Sequence, residues 1–327
     1  MTIINLMLKD MEAIYMKTAL VLGLNGGFGG SVTEELLDNG WSVTALVRSK
    51  KSVNTRFKDV RLIEGDANNY ADLINACAGI DVLVYGINVP YDQWDSQSVK
   101  LLSTSISVAI ELKLTILYPE NVYSFNPSNQ STFTPLSKLD PPTRLGKIRA
   151  PMLEMLQKAT SEGCKVITVR GGDFIGELAS GSWFNRLLKV SSSEIQLSCP
   201  SKHKDTIHTW AVLTDMAKLS VCLLENREKL PEFHCEHHKG VRASFNDLAK
   251  TIENVSNKRV KVVSFPWWLL SIGGVFAPLP KLLNEMRYLW DKPLLLENDT
   301  KNGVCQNTQK SELEREIKAV LNAKEKK

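Results

Sequence analysis

Two kinds of block alternate along the first half of the chain. Short apolar runs at 18–24 ("TALVLGL"), 41–48 ("WSVTALVR"), 60–66 ("VRLIEGD"), 80–87 ("IDVLVYGI"), 114–123 ("LTILYPENVY") and 164–176 ("CKVITVRGGDFIG") have the length of buried strands, and most carry a glycine. Between them lie segments with helical spacing of apolar positions: 31–40, 70–79, 98–113 and 149–163. Strands alternating with helices predict an α/β fold around a parallel, doubly wound sheet. Right-handed crossovers would put all the strand C-terminal ends on one edge, the usual place for a ligand.

Beyond Gly176 the alternation loosens. Residues 181–190 and 244–257 read as helices, 206–226 as a turn followed by a helix, and 258–266 as a strand. The expected division is a tail over 1–15, a nucleotide-binding domain over 16–176, and a smaller C-terminal lobe over 177–327. That lobe is interleaved with the last sheet elements at about 205–240. The most apolar stretch, 265–283, is broken by Pro266, Pro278, Pro280 and the Gly273–Gly274 pair. Short helices roofing a cleft are expected there, not a membrane span, which needs about 20 unbroken apolar residues.

The loop "GLNGGFG" at 23–29 joins the first strand to the first helix. Gly23, Gly26 and Gly29 have the spacing G-x-x-G-x-x-G. In such a loop one glycine permits the tight turn, one lets backbone N–H groups approach a pyrophosphate, and one lets helix and strand pack closely. With βα units downstream, the fold is predicted to be of Rossmann type, binding a dinucleotide through Gly23, Asn25, Gly26, Gly27, Phe28, Gly29 and Gly86. Arg48 ends the second strand, where NAD binders carry an acidic residue; an arginine there suits a 2′-phosphate, with Lys50 and Lys51 nearby. NADP(H) is therefore the preferred cofactor, with NAD(H) as the alternative. Asp66 ends the third strand, in reach of an adenine amino group.

Composition narrows the classes. Of 327 residues, 40 are basic and 36 acidic, a net charge of +4, too small an excess for a nucleic-acid footprint. Six cysteines at irregular spacing, with no C-x-x-C pair, suit reduced thiols of a cytoplasmic protein. The first 15 residues lack a signal-peptide core, and Met16 directly precedes the first strand, so Met16 is an alternative start. The cluster "FHCEHHKG" at 233–240 reads as a half-exposed strand and not as a metal site.

Together, "GLNGGFG", "VR" at 47–48, "EGDA" at 64–67 and "VYG" at 84–86 resemble the extended short-chain dehydrogenases/reductases, the NAD-dependent epimerase/dehydratase group. "YPENVYSFNP" at 118–127, "VRGGDFIGE" at 169–177 and "IHTWAVLTDMAKL" at 207–219 extend the resemblance over residues 16–300. It implies hydride transfer to or from a small carbonyl or hydroxyl substrate, and subunits that pair through helices as a homodimer.

The resemblance also implies a strand Ser or Thr and a Tyr-x-x-x-Lys pair, in which the lysine holds the nicotinamide ribose and lowers the tyrosine pKa. This chain departs at each position. Pro119 falls at the Ser/Thr position, and the pair reads Leu145/Arg149 in one register or Thr143/Lys147 in the other. Lys147 or Arg149 remains to hold the ribose, and Tyr123 and Glu120 are the candidates for proton transfer. Trp183, Trp267, Trp268 and Trp290 are candidate pocket walls, and His208 and Trp210 candidate cleft or packing residues. The expected function is an atypical NADP(H)-dependent oxidoreductase or epimerase. The alternative is an inactive NADP(H)-binding sensor or partner-binding module.

Overall fold

A computed structural model describes residues 16–299, 304–305 and 312–325; the tail expected over 1–15 lies outside the described residues. The chain opens with β1 (Thr18–Leu22), α1 (Gly27–Asp38), β2 (Ser42–Val47), β3 (Arg61–Glu64), α2 (Tyr70–Ala76), β4 (Val82–Tyr85), α3 (Val99–Leu112) and β5 (Thr115–Glu120). After β6 (Thr132–Phe133) come α4 (Arg144–Ala159) and β7 (Lys165–Arg170). The next stretch holds β8 (Asp173–Ile175), α5 (Trp183–Leu187), β9 (Leu188–Val190), β10 (Glu194–Cys199), β11 (His208–Val212), α6 (Leu213–Glu225) and β12 (Phe233–His237). The last elements are β13 (Val241–Ala243), α7 (Phe245–Ser256), β14 (Arg259–Ser264), α8 (Trp267–Phe276), α9 (Pro278–Glu285), β15 (Leu295–Leu296) and α10 (Leu313–Glu325).

The main sheet has seven strands in the order β12-β7-β5-β4-β1-β2-β3. Every neighbouring pair runs parallel. The unbroken apolar runs follow from burial on both faces. Ala19 and Val21 of β1 join one core with Val32 and Leu36 of α1 and Met216 of α6, while Leu20 and Leu22 join the other with Leu73 of α2, Leu102 of α3 and Leu156 of α4. The fold is thus the expected Rossmann sheet. A third core, rich in aromatic residues, gathers Trp183, Trp210, Phe245 and Trp290 beside it.

Four expectations need correction. The sixth apolar run breaks at Gly171–Gly172: β7 stays in the main sheet, but β8 leaves to pair with β11 in a small sheet ordered β13-β11-β8. A side chain at Gly172 would strike the Thr209 carbonyl at 1.8 Å, so the close crossing there requires glycine. Residues 181–190 are only half helical, because β9 pairs with β10 and pulls Leu188–Val190 into a strand. The turn expected before α6 is strand β11. Lastly, the thiols are not all reduced: Cys222 of α6 is disulfide-bonded to Cys305, leaving Cys77, Cys164, Cys199 and Cys235 free.

The apolar stretch 265–283 forms α8 and α9. Among the described residues no helix is long and apolar enough to cross a membrane. Trp267 turns inward, its Nε1 donating to the Pro200 carbonyl at 2.8 Å, while Trp268, Leu269 and Ile272 are exposed.

Candidate functional site

A groove follows the strand C-terminal edge in two connected parts. The outer part, about 500 Å³, is lined by the glycine loop from Gly23 to Gly26 and by Arg48, Ser52 and Asp66. The inner part, about 300 Å³, runs from Gly26–Phe28 to Tyr123, Arg149, Asp173 and Trp183. Asn25, Gly26, Gly86, Ile87 and Asn88 belong to both.

Backbone packing builds the floor between them. Gly23 has φ +79°, and a Cβ on it would lie 2.4 Å from the Gly86 carbonyl oxygen. A Cβ on Gly29 would meet the Gly23 oxygen at the same distance. The turn, the helix start and the end of β4 therefore pack backbone against backbone. Helix α1 has Gly26 as its N-cap, with no side-chain cap and no acidic residue in its first turn. Its bare N-terminus opens onto the groove, a cradle suited to an anion. These residues fit the pyrophosphate of a dinucleotide. Asn25 fixes the outer wall: its Nδ2 donates to the Ser52 carbonyl at 2.8 Å and its Oδ1 accepts from Asn54 N at 3.1 Å. That holds the loop after Arg48 against the glycine turn. Arg48 is exposed at the groove's outer end, and Asp66, after the adjacent strand β3, lines the same part. One Asp66 oxygen accepts from Asn68 N at 2.9 Å, so the residue shapes its own turn as well.

The two registers of the missing pair are separated by the fold. Arg149 lines the inner cavity, its Nη1 donating to the Tyr118 hydroxyl at 2.5 Å and its guanidinium lying 4.2 Å from the Trp94 ring centroid. Lys147 is exposed on another side of α4, in a depression with Asp95, Arg144 and Glu285. Leu145 is buried in the aromatic core. Its neighbour Gly146 lets α4 press against the segment after β5, where a Cβ would meet the Tyr123 carbonyl at 2.2 Å.

The two proton-transfer candidates are both engaged. Glu120 is ion-paired with Arg170 across the β5–β7 register, both nearly fully buried. Arg170 Nη1 also lies 3.0 Å from His237 Nε2, and its guanidinium sits 4.5 Å from the Phe125 ring centroid. The Tyr123 hydroxyl lies 2.7 Å from the Tyr91 hydroxyl. Burial pushes both phenols above their ordinary value, with Asp173 adding to the rise.

The inner cavity also contains residues that sequence reasoning passed over: Tyr85, Tyr91, Trp94, Tyr118 and Asp173. Asp173 was legible in principle, since it follows the glycine pair at the exit of the sixth strand, on the sheet edge where ligands bind. Burial raises its carboxyl to about 7. Of the tryptophans expected as walls, Trp183 lines the cavity, Trp267 and Trp290 are core, and Trp268 faces solvent. His208 and Trp210 are core as well: His208 Nε2 lies 3.2 Å from the Trp290 carbonyl and Trp210 Nε1 donates to the Ala243 carbonyl at 3.0 Å. In β12, His234 Nε2 lies 3.1 Å from Glu236 Oε2, and among the described residues no group of three or more His, Cys, Asp or Glu could hold a metal.

Comparison with known proteins agrees with this geometry. Residues 23–110 match the model of the NAD(P)H-binding family. A search of curated proteins finds no match. Among solved structures, the UDP-glucuronic acid 4-epimerase of Bacillus cereus, in complex with NAD, superposes with TM-score 0.71 at 13% identity, covering 94% of this chain and 99% of that one. The UDP-Glc/GlcNAc 4-epimerase of Campylobacter jejuni gives 0.69 at 12% identity, covering 95% and 100%. The UDP-glucose 4-epimerase of Brucella ovis, in complex with NAD, gives 0.68 at 13% identity, covering 94% and 98%. At such identities the likeness is one of fold. Residues 23–110 are thus similar to the NAD(P)H-binding family, and the chain as a whole shares the fold of these epimerase structures.

Proposed function

We propose that the protein is an NADP(H)-dependent oxidoreductase or epimerase of an atypical kind, acting on a small carbonyl or hydroxyl substrate without the Tyr-x-x-x-Lys pair. The observation that carries this reading is the continuity of the groove. Its outer part, with Arg48 at one end and the bare start of α1 at the other, suits the phosphates. Its inner part continues past Gly26 into a cavity with ionisable and hydroxyl side chains. Arg48 supports NADP(H) over NAD(H), since a guanidinium pairs with a 2′-phosphate and NAD has none. Glycine-loop N–H groups would hold the pyrophosphate, and Arg149 the nicotinamide ribose. Bound there, the nicotinamide supplies the hydride chemistry; the protein's part is to orient both reactants and exclude water.

One observation favours the second reading, a binding protein without turnover. Glu120 is held in an ion pair with Arg170 and the Tyr123 hydroxyl in a hydrogen bond with Tyr91, so neither is an unengaged acid or base. Fluorescence titration with NADPH and NADH, followed by a screen of carbonyl compounds for NADPH oxidation, separates the readings. Tight NADPH binding with turnover supports the enzyme, and binding without turnover the sensor. No binding of either nucleotide overturns both.

A further inference from the structure

The inner cavity contains one carboxylate that has no hydrogen-bond or ion-pair partner among the described residues. Glu120 is neutralised by Arg170, whereas Asp173 lines the cavity and burial is the only influence on its carboxyl. Asp173 begins β8, and its main chain is fixed by parallel pairing to Trp210 of β11. Directly before it, Gly172 lets β8 cross tightly over Thr209. The backbone is therefore rigid where the carboxylate enters the cavity. Three tyrosines feel its charge: Tyr91 from the turn after β4, Tyr123 from the segment after β5, and Tyr288 after α9. The cations nearby, Arg149 of α4 and Arg186 of α5, act on Tyr91, and Arg186 Nε donates to the Gly181 carbonyl at 3.0 Å.

The tyrosine pair adds a second feature. When two hydroxyls bond to each other, one donates and the other keeps its own proton free. The Tyr91–Tyr123 pair therefore holds one O–H available to an acceptor in the cavity. Both phenols stay protonated at neutral pH, because burial and the nearby carboxylate raise them. A carboxyl and a spare phenolic O–H lining one cavity match what a carbonyl oxygen needs as it becomes an alkoxide.

We propose that Asp173 is the acid–base group of this cavity, exchanging a proton with the oxygen of a small uncharged carbonyl or secondary alcohol to which the Tyr91–Tyr123 pair donates a hydrogen bond. The proposal rests on the reading of the protein as a nicotinamide-dependent enzyme. In the reducing direction the carbonyl carbon takes hydride from a reduced nicotinamide, which is oxidised. The C=O π pair moves to oxygen, and the Asp173 carboxyl gives that oxygen its proton. The products are the alcohol, the oxidised dinucleotide and the Asp173 carboxylate, which regains a proton from solvent. Burial holds this carboxyl near 7, where both protonation states are populated at neutral pH. Substrate class follows from the walls. At about 300 Å³, lined by Tyr91, Trp94, Tyr123 and Trp183, the cavity suits a small molecule with an apolar or aromatic body. An unpaired carboxylate disfavours an anionic one.

The test uses the full chain, Asp173→Asn and Tyr123→Phe. Carboxyl carbon NMR is expected to show one aspartate titrating near 7 in the wild type and none there in Asp173→Asn. NADPH titration should be unchanged in both variants, since neither replaced residue lines the phosphate end. With 4-nitrobenzaldehyde as the uncharged probe, Asp173→Asn should lower kcat by about 100-fold or more with KM little changed. It should also abolish the decline in rate above neutral pH. Tyr123→Phe should keep the carboxyl titration and lose about tenfold in kcat. The anionic 4-carboxybenzaldehyde should be the poorer substrate. If the wild type binds neither nucleotide, the proposed function falls and this inference with it. If it binds NADPH, three results would each overturn the inference alone: a carboxyl titrating in the ordinary range, wild-type turnover in Asp173→Asn, or no reduction of the uncharged aldehyde.

Discussion

The guanidinium of Arg149 donates to the Tyr118 hydroxyl at 2.5 Å and lies over Trp94, 4.2 Å from its ring centroid. It stands where the resemblance places a lysine, yet it is held by two aromatic side chains and has no carboxylate partner among the described residues. A lysine ammonium has no delocalised fork with which to make both contacts at once. Arg149→Lys is therefore expected to weaken NADPH binding about tenfold, or about 1.4 kcal/mol, and Arg149→Met by more. Fluorescence titration checks this. Affinity equal to the wild type in Arg149→Met would show that the residue only packs.

Arg48 makes the cofactor choice testable at the other end of the groove. It is exposed and lines the outer part of the groove, so its replacement should cost little stability. Arg48→Ala should weaken NADPH binding by roughly 10–100-fold, the loss of a charge-assisted contact, and leave NADH binding within a few-fold. Arg48→Glu should reverse the preference. Equal loss for both nucleotides would place the arginine at the shared phosphates instead.

The sheet was readable because its central strands are buried on both faces, so their apolar runs announce strands without help from tertiary context. The glycine loop was readable for a similar reason: its spacing is imposed by backbone contact among Gly23, Gly29 and Gly86. The lobe was harder. Residues 188–190 have helix-compatible side chains, and only pairing with β10 makes them a strand. The inner cavity was hardest of all. Tyr91, Tyr118 and Asp173 come from three separate strand ends, and no local spacing joins them. The pairing of Glu120 was not legible locally either, because its partner, Arg170, is 50 residues away across the β5–β7 register.

That buried pair sets a stability prediction. Arg170 pairs with one Glu120 carboxylate oxygen, approaches His237 Nε2 and packs on Phe125. Arg170→Met leaves the Glu120 carboxylate buried without a counter-ion, which should cost about 3–5 kcal/mol. The double variant Arg170→Met/Glu120→Leu should recover a large share of that loss, since no charge then remains to be desolvated. Urea denaturation of the single and double variants measures both. A double variant as unstable as the single one would show that hydrogen bonding to His237, and not the charge, is what matters.

The Cys222–Cys305 bond closes a loop between residues 83 apart in sequence. A closure of that length restricts the unfolded chain by up to about 4–5 kcal/mol on an entropic account. Cys222→Ser should lower the melting temperature, and dithiothreitol should lower that of the wild type to match while leaving the variant unchanged. Non-reducing peptide mapping should recover the linked peptides. If reductant leaves the wild-type melting temperature unmoved, the bond does not form in solution.

Three buried histidines give the protein a dependence on acid. Burial holds His208 down to about 4, His238 to about 4, and His237, beside the Arg170 charge, to about 3. Each stays neutral in the folded chain while the unfolded chain takes up its proton near 6.5. The folded pKa lies below the unfolded one, so the contribution is full above 6.5 and is lost as pH falls toward the folded value. His238 is the clearest case, because neither ring nitrogen has a hydrogen-bond partner among the described residues. Its ring signals should not move in an NMR titration from neutral pH down to about 5. Replacing it with a residue that does not titrate, His238→Gln, should make stability less pH-dependent in that window by up to one proton's worth, about 1.4 kcal/mol per pH unit. Chemical denaturation at several pH values measures the slope. An unchanged slope in the variant would mean that His238 binds its proton as readily folded as unfolded, and that its site is open to water.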